Sequence, residues 1–192
     1  MKLRIAITAD PFIPVPPLNY GGIERIIDFL VNGLVERGHE VVLVAKAGST
    51  ANVQLVEYPA VQDGLYAHIQ NTLTIKKLAD WQPDVIHSFS RLAYLLPLLP
   101  GNVPKLMSYQ REPTLSQIKK ALLVAKKSTL TFTGCSNYIT NQIKAVANAH
   151  TVYNGVDVTK YDYQSTVAND APLIFLGRLE PIKGAHHAID TA

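Results

Sequence analysis

The chain has 192 residues, of which 47% are hydrophobic and 17% charged, with a net charge of +3. That apolar fraction is enough for a real core and excludes a disordered chain, while so small a positive charge makes no case for nucleic acid. The single cysteine, Cys135, excludes an internal disulfide and a cysteine-cluster metal site.

The first residues, Met1-Lys2-Leu3-Arg4, precede only a short apolar stretch that ends at Asp10-Pro11. That is not the pattern of a signal peptide. No stretch approaches the roughly 18 apolar residues that span a bilayer. The expected location is cytoplasmic.

Residues 3–8 are a short apolar run, the kind buried on both faces of a parallel sheet. A proline-rich loop follows over 10–20. Ile23, Ile26, Ile27, Leu30 and Leu34 then recur at helical spacing, and Gly38 suits the end of that helix. Strands are predicted over 40–45 and 53–58. Residues 66–81 read as a helix with Ile69, Leu73 and Leu78 inward. A strand over 84–88 follows Pro83, then a short apolar helix over 92–99 and a strand over 105–109. Residues 115–126 read as a helix with Ile118, Leu122 and Leu123 on one side. A strand over 130–135, a helix over 138–147 and a short strand over 150–153 complete the alternation. Cys135 ends its strand among small neighbours and reads as a buried structural thiol. Such an order predicts an α/β fold, a doubly wound parallel sheet of Rossmann-like type with helices on both faces.

A boundary is expected between 154 and 172. Asn154-Gly155 is a turn signal, and 164–172 are polar without periodicity. Residues 1–165 then form one domain. Leu173, Ile174, Phe175 and Leu176 look like the first strand of a second unit, which at this length cannot bury its own core. Four exposed apolar side chains on an unpaired edge are an aggregation hazard. A companion polypeptide or a second copy of the chain is expected to cover 173–176.

The string LGRLEPIKG, residues 176–184, combines an apolar strand, a glycine turn, two cations and a helix start. Arg178 offers a planar fork of donors and Lys183 a mobile point charge. The following helix start adds unpaired N–H groups. The expected ligand is a phosphate or diphosphate, set against an ordinary loop with two solvated cations. Gly21-Gly22 stands directly before a helix, so its backbone N–H groups can approach a phosphate too. Neither a G-x-G-x-x-G nor a G-x-x-x-x-G-K-[ST] pattern is present.

Ligands of open α/β sheets bind beyond the carboxyl ends of the strands. Asp10, His87, Ser88, Ser90, the run Tyr109-Gln110-Arg111-Glu112, Ser136, Asn137, Asn154 and Asp157 all follow predicted strands. His186 and His187 are adjacent on a helix and point about 100° apart, a poor chelate. No metal site is expected.

In order along the chain stand YGGIER (20–25), LVERGHEV (34–41), DVIHSFS (84–90), GCSNY (134–138), VYNGVD (152–157) and LGRLEPIKG (176–184). With these motifs the whole chain resembles the retaining nucleotide-sugar glycosyltransferases of family 4, of GT-B fold. The resemblance implies two Rossmann-like domains facing a cleft. Residues 1–165 would hold the acceptor, and 172–192 would begin the donor-binding domain with its first strand, phosphate loop and helix start. It assigns Arg178, Lys183, Gly21 and Gly22 to the donor diphosphate. His87, Gln110, Arg111, Ser136 and Asn154 fall to the acceptor cleft, and Tyr161 to packing. Glu24 and Arg25 would order the glycine loop, against the plainer reading of Glu24 as a favourable acid in a first helical turn.

The chain also departs from that family. The family's pair of glutamates would lie beyond residue 192. Gln110 and Phe89 stand where many members carry histidines, which weakens a proton-carrying role for His87. The implied reaction is transfer of a sugar from a nucleoside diphosphate with retention, in glycan or cell-envelope synthesis, with no cofactor or required metal. The resemblance gives this chain no base and ribose pocket, so it is not expected to act alone. An epimerase of the same fold and a non-catalytic fragment remain open, and a nicotinamide-dependent oxidoreductase lacks its glycine fingerprint. Lys119, Lys120, Lys126 and Lys127 flank Leu122 and Leu123. Weak peripheral contact with anionic lipid is weighed there against a solvated basic face.

Overall fold

The computed structural model describes residues 1–59 and 64–191. Two compact units divide the chain, Met1–Val156 and Asp157–Ala192.

The first unit is built on a seven-stranded sheet. Its strands are β1 (Arg4–Thr8), β2 (Glu40–Ala45), β3 (Gln54–Glu57), β4 (Val85–Ser88), β5 (Lys105–Tyr109), β6 (Leu130–Gly134) and β7 (Ala149–Thr151). Every pairing is parallel, in the order β3-β2-β1-β4-β5-β6-β7. The expected doubly wound sheet is therefore present. Its direction of winding reverses between β1 and β4. There the loops after the two strands diverge and leave a crevice.

Period-two alternation sends neighbouring side chains to opposite faces, and both faces are buried. Ile5, Ile7, Val41 and Leu43 pack with Ile27 and Val31 of α1 (Gly22–Glu36) on one side. Ala6, Val42, Val44 and Ile86 lie on the other, with Tyr94, Ile118 and Ile143.

At the end of β6, a Cβ on Gly134 would come within 2.6 Å of Thr140 Oγ1 and 2.8 Å of its backbone nitrogen. Glycine is what lets helix α4 (Asn137–Lys144) approach the strand so closely. The Ser136 hydroxyl accepts from the Ile139 N–H at 3.3 Å and caps that helix. Asn137 Oδ1 accepts from the Thr151 hydroxyl at 2.8 Å, tying α4 to β7.

Four expectations about elements change. Helix α2 spans Leu65–Lys76 and continues as a 3₁₀ turn, Lys77–Ala79. It buries Ala67, Asn71, Thr74 and Ile75, whereas Ile69 and Leu73 are about half exposed. Of the three residues that the spacing placed inward, Leu78 is buried in the core as expected, while Ile69 and Leu73 face out. Helix α3 (Leu115–Val124) buries Ile118 and Ala121 and leaves Leu123 exposed, since position 123 lies on the turn of the helix away from the sheet. Leu92–Leu98 is a 3₁₀ helix with Pro97 inside it; proline has no N–H for an α-helical bond. Leu173 to Leu176 form no strand. A strand exists only by pairing its backbone with a neighbour, and the described residues of the second unit supply none. Cys135 is a free thiol of intermediate burial.

Among its described residues the second unit holds two 3₁₀ turns, Val158–Lys160 and Pro181–Lys183, and α5, Ala185–Thr191. Gly184 ends the second turn in the left-handed region at φ 72°, which glycine enters without strain. Among the described residues no helix is long and apolar enough to cross a membrane.

Candidate functional site

A cleft of about 730 Å³ opens at the carboxyl ends of β1, β4 and β5 in the first unit. Its floor comes from strand-end residues, among them Asp10, Phe89, Tyr109, Gln110 and Arg111. One wall is α2, with Leu65, His68, Ile69 and Leu73; the segment from Arg91 to Leu96 forms another. The cleft lies at the reversal in strand order, where a doubly wound sheet holds its ligands.

Charge concentrates at the α1 side of the floor. Asp10 follows β1 and its carboxylate stands 3.9 Å from the Arg111 guanidinium. Glu24, in the first turn of α1, is buried. Burial pushes its carboxyl up from the ordinary range; a hydrogen bond to its own backbone N–H and the charge of Arg111 oppose that rise, while Asp10 adds to it. Its Oε2 sits 3.0 Å from where a Cβ on Gly21 would be. Glu24 thus lies against Gly21 in the first turn of α1.

Gly21 precedes α1 at φ 156°, and a Cβ there would collide with the Pro17 Cβ at 2.5 Å. Gly22 has open space where its Cβ would be. The proline-rich loop before them is anchored at buried Val15, whose N–H donates to Ser49 Oγ at 3.0 Å.

The remaining residues singled out in the sequence separate. Gln110 and Arg111 line the cleft. Asn154 donates to Gln110 Oε1 at 2.8 Å, which ties the segment after β7 to the end of β5. Ser136 acts as the cap of α4.

His87 lies within β4, and the cleft lining takes Phe89 and Ser90 instead. Its Nε2 bonds Ser108 Oγ at 2.7 Å, and that hydroxyl meets Thr133 Oγ1 at 2.6 Å. The imidazole packs on Phe89 at 4.4 Å between centroids. Burial drives its pKa down to about 4, so it is neutral at physiological pH. A neutral imidazole in a ladder of hydroxyls across three strands is built for structure. Tyr109, at the floor, is pushed by burial up to about 12 and keeps its proton.

Arg178 and Lys183 belong to the second unit. The Arg178 guanidinium pairs with Glu180 at 2.8 Å, both side chains being about half exposed. Lys183 closes the turn before Gly184.

Sequence reasoning missed the part played by α2. The available signal was Asn71 and Thr74, whose polarity disguised the inward face.

A doubly wound sheet with a small-molecule-sized cleft at its switch point defines a Rossmann-like ligand-binding domain. Over residues 20–160, more than half its length, the chain matches Glycosyltransferase Family 4, and it belongs to that family. No curated protein matches it by sequence. Among solved structures it is similar to AviGT4, a glycosyltransferase involved in avilamycin A biosynthesis, with 25% identity and a TM-score of 0.62 over 97% of this chain and 52% of that one. A glycosyltransferase from Rickettsia africae ESF-5 shares the fold at 18% identity and a TM-score of 0.59, over 82% and 44% of the respective chains. Acinetobacter baumannii MurG does so at 11% identity and a TM-score of 0.54, over 81% and 47%. The chain spans about half the length of these structures.

Proposed function

We propose that this chain is the acceptor-side part, with the opening of the donor-side part, of a retaining glycosyltransferase. It would move a hexosyl group from a nucleoside-diphosphate sugar in glycan or cell-envelope synthesis, with no cofactor or metal. The observation that carries this reading is the family match across the first unit, whose cleft lies at the strand ends. Arg178 and Lys183 would hold the donor diphosphate and stabilise charge as it develops on the leaving group, and the Gly21-Gly22 backbone would offer N–H groups to phosphate from the first unit. Gln110, Arg111, Asn154 and, behind them, His87 and Ser136 would shape the acceptor side. A companion polypeptide or a second copy would cover residues 173–176, of which Leu173, Ile174, Phe175 and Leu176 are 73%, 86%, 39% and 97% exposed.

The test supplies a donor-binding half, in one polypeptide or as a companion. Nucleoside diphosphate release is then followed across a panel of nucleotide sugars. Acceptor-dependent release with a retained anomeric configuration is expected, and none from the chain alone. Release without any acceptor would point to an epimerase of the same fold.

The lysines of α3 and the loop after it carry a second proposal, weak contact with anionic lipid at the cytoplasmic face. Leu123 is 87% exposed beside them. Flotation with phosphatidylserine vesicles, lost on Lys119→Glu/Lys120→Glu, is the expected result. Flotation that ignores anionic lipid would leave only a solvated basic face.

A further inference from the structure

Helix α2 is amphipathic in an unusual sense. The face it buries in the domain carries Ala67, Asn71, Thr74 and Ile75. Its opposite row, Leu65, Ile69 and Leu73 at successive i,i+4 positions, is 78%, 49% and 52% exposed and lines the cleft. Leu96, 44% exposed, lines it from the 3₁₀ segment. Large aliphatic side chains ordinarily go to the core face of a helix. Here they go to a ligand-sized cleft.

This wall is held in place. His68 Nδ1 bonds the hydroxyl of buried Tyr94 at 2.8 Å, and Arg91 Nη1 meets His68 Nε2 at 3.3 Å. Arg91 also lies over the Phe12 ring at 5.5 Å. The arginine therefore donates to Nε2, and Nδ1 carries the hydrogen toward Tyr94. α2 and the 3₁₀ segment are clamped with the aliphatic row presented to the cleft.

The other end of the cleft is polar, with the Asp10–Arg111 pair and Gln110 at the strand ends. Sugar hydroxyls laid against leucine and isoleucine would lose water and gain no partner. A volume of about 730 Å³ is that of a small-molecule site.

We propose that this cleft takes an amphiphilic acceptor, its hydrocarbon portion against Leu65, Ile69, Leu73 and Leu96 and its reacting hydroxyl at the strand ends beside Asp10 and Arg111. This rests on the glycosyltransferase reading for the word acceptor alone; the binding of an amphiphile stands on the cleft.

The test uses the 192-residue chain and n-octyl β-D-glucopyranoside below its micellar concentration, with glucose as the control, followed by amide chemical shifts. Saturable shifts in α2 and residues 92–98 are expected with the amphiphile and not with glucose. Ile69→Gln/Leu73→Gln should weaken binding at least about tenfold. Val35→Gln, exposed on α1 and outside the cleft lining, should leave it unchanged. Should the double variant fail to fold, Leu65→Gln replaces it, at the most exposed of the three α2 positions. Equal shifts with glucose, or unchanged affinity in the α2 variants, would overturn the proposal. Amphiphile binding with no transfer once a donor half is supplied would instead count against the glycosyltransferase reading and leave the ligand class standing.

Discussion

Lys183→Ala is expected to cut sugar transfer at least ~10²-fold once a donor-binding half is present, the scale for losing one donor to a transition-state anion. That is about 2.7 kcal/mol of barrier. The leaving nucleoside diphosphate gains negative charge as the glycosidic bond to the donor breaks. A cation that strengthens its hold at that moment accelerates the step, and one that holds substrate equally does not. Lys183 is the last residue of a short turn closed by Gly184. Arg178→Ala should behave alike. Because Arg178 pairs with Glu180 at 2.8 Å, Glu180→Gln should change the rate far less than Arg178→Ala does. Steady-state rates with saturating donor provide the check. Near-normal turnover in both cation variants would remove the support for a diphosphate site at this loop.

The second large effect concerns stability against pH. Folding lowers the His87 pKa from 6.5 to about 4 through burial. Between those values the unfolded chain binds a proton that the folded chain refuses. Stability from this group is therefore complete above pH 7 and is lost as pH falls through the unfolded pKa toward the folded one. By pH 5 the loss is about 2 kcal/mol, from 1.36 kcal/mol per pH unit. Glu24 acts in the opposite direction. Its folded pKa is raised, so its contribution is fully present below the unfolded pKa and is lost as pH rises through the folded one. Comparing variants separates the two. Glutamine at position 87 can keep a bond to Ser108 and cannot titrate. Urea unfolding of His87→Gln should show a clearly flatter fall in stability from pH 7 to pH 5 than the parent chain. Parallel slopes in the two proteins would mean that His87 is not the group responsible.

Much of the architecture was legible in the residues. Short apolar runs alternating with helical spacings specify a parallel sheet, since only strands buried on both faces can be apolar throughout. The glycine pair before α1 was equally readable, because glycine ahead of a helix start frees the backbone there, whereas the close approach at Gly134 showed only once α4 was packed. The positions of Gln110 and Arg111 followed from strand ends alone. These are local signals, written in a few neighbouring residues.

Other features depend on what comes close from far along the chain. Ile69 and Leu73 look like core residues by spacing, yet the packed domain turns Asn71 and Ile75 inward and gives the aliphatic row to the cleft. Nothing near His87 in sequence announces Ser108 and Thr133, which reach it across two neighbouring strands. Lys105 reads as a strand's charged first residue, but its ammonium is buried on the carbonyls of Leu99 and Gly101 and the hydroxyl of Thr129. Residues 173–176 have the composition of a strand and form none, because a strand needs a partner's backbone. Sequence determined the alternation of strands and helices through the first unit and which loops gather at one end of its sheet. Tertiary structure decided which face each helix buries and which polar groups meet, since both are set by the packing of elements distant along the chain.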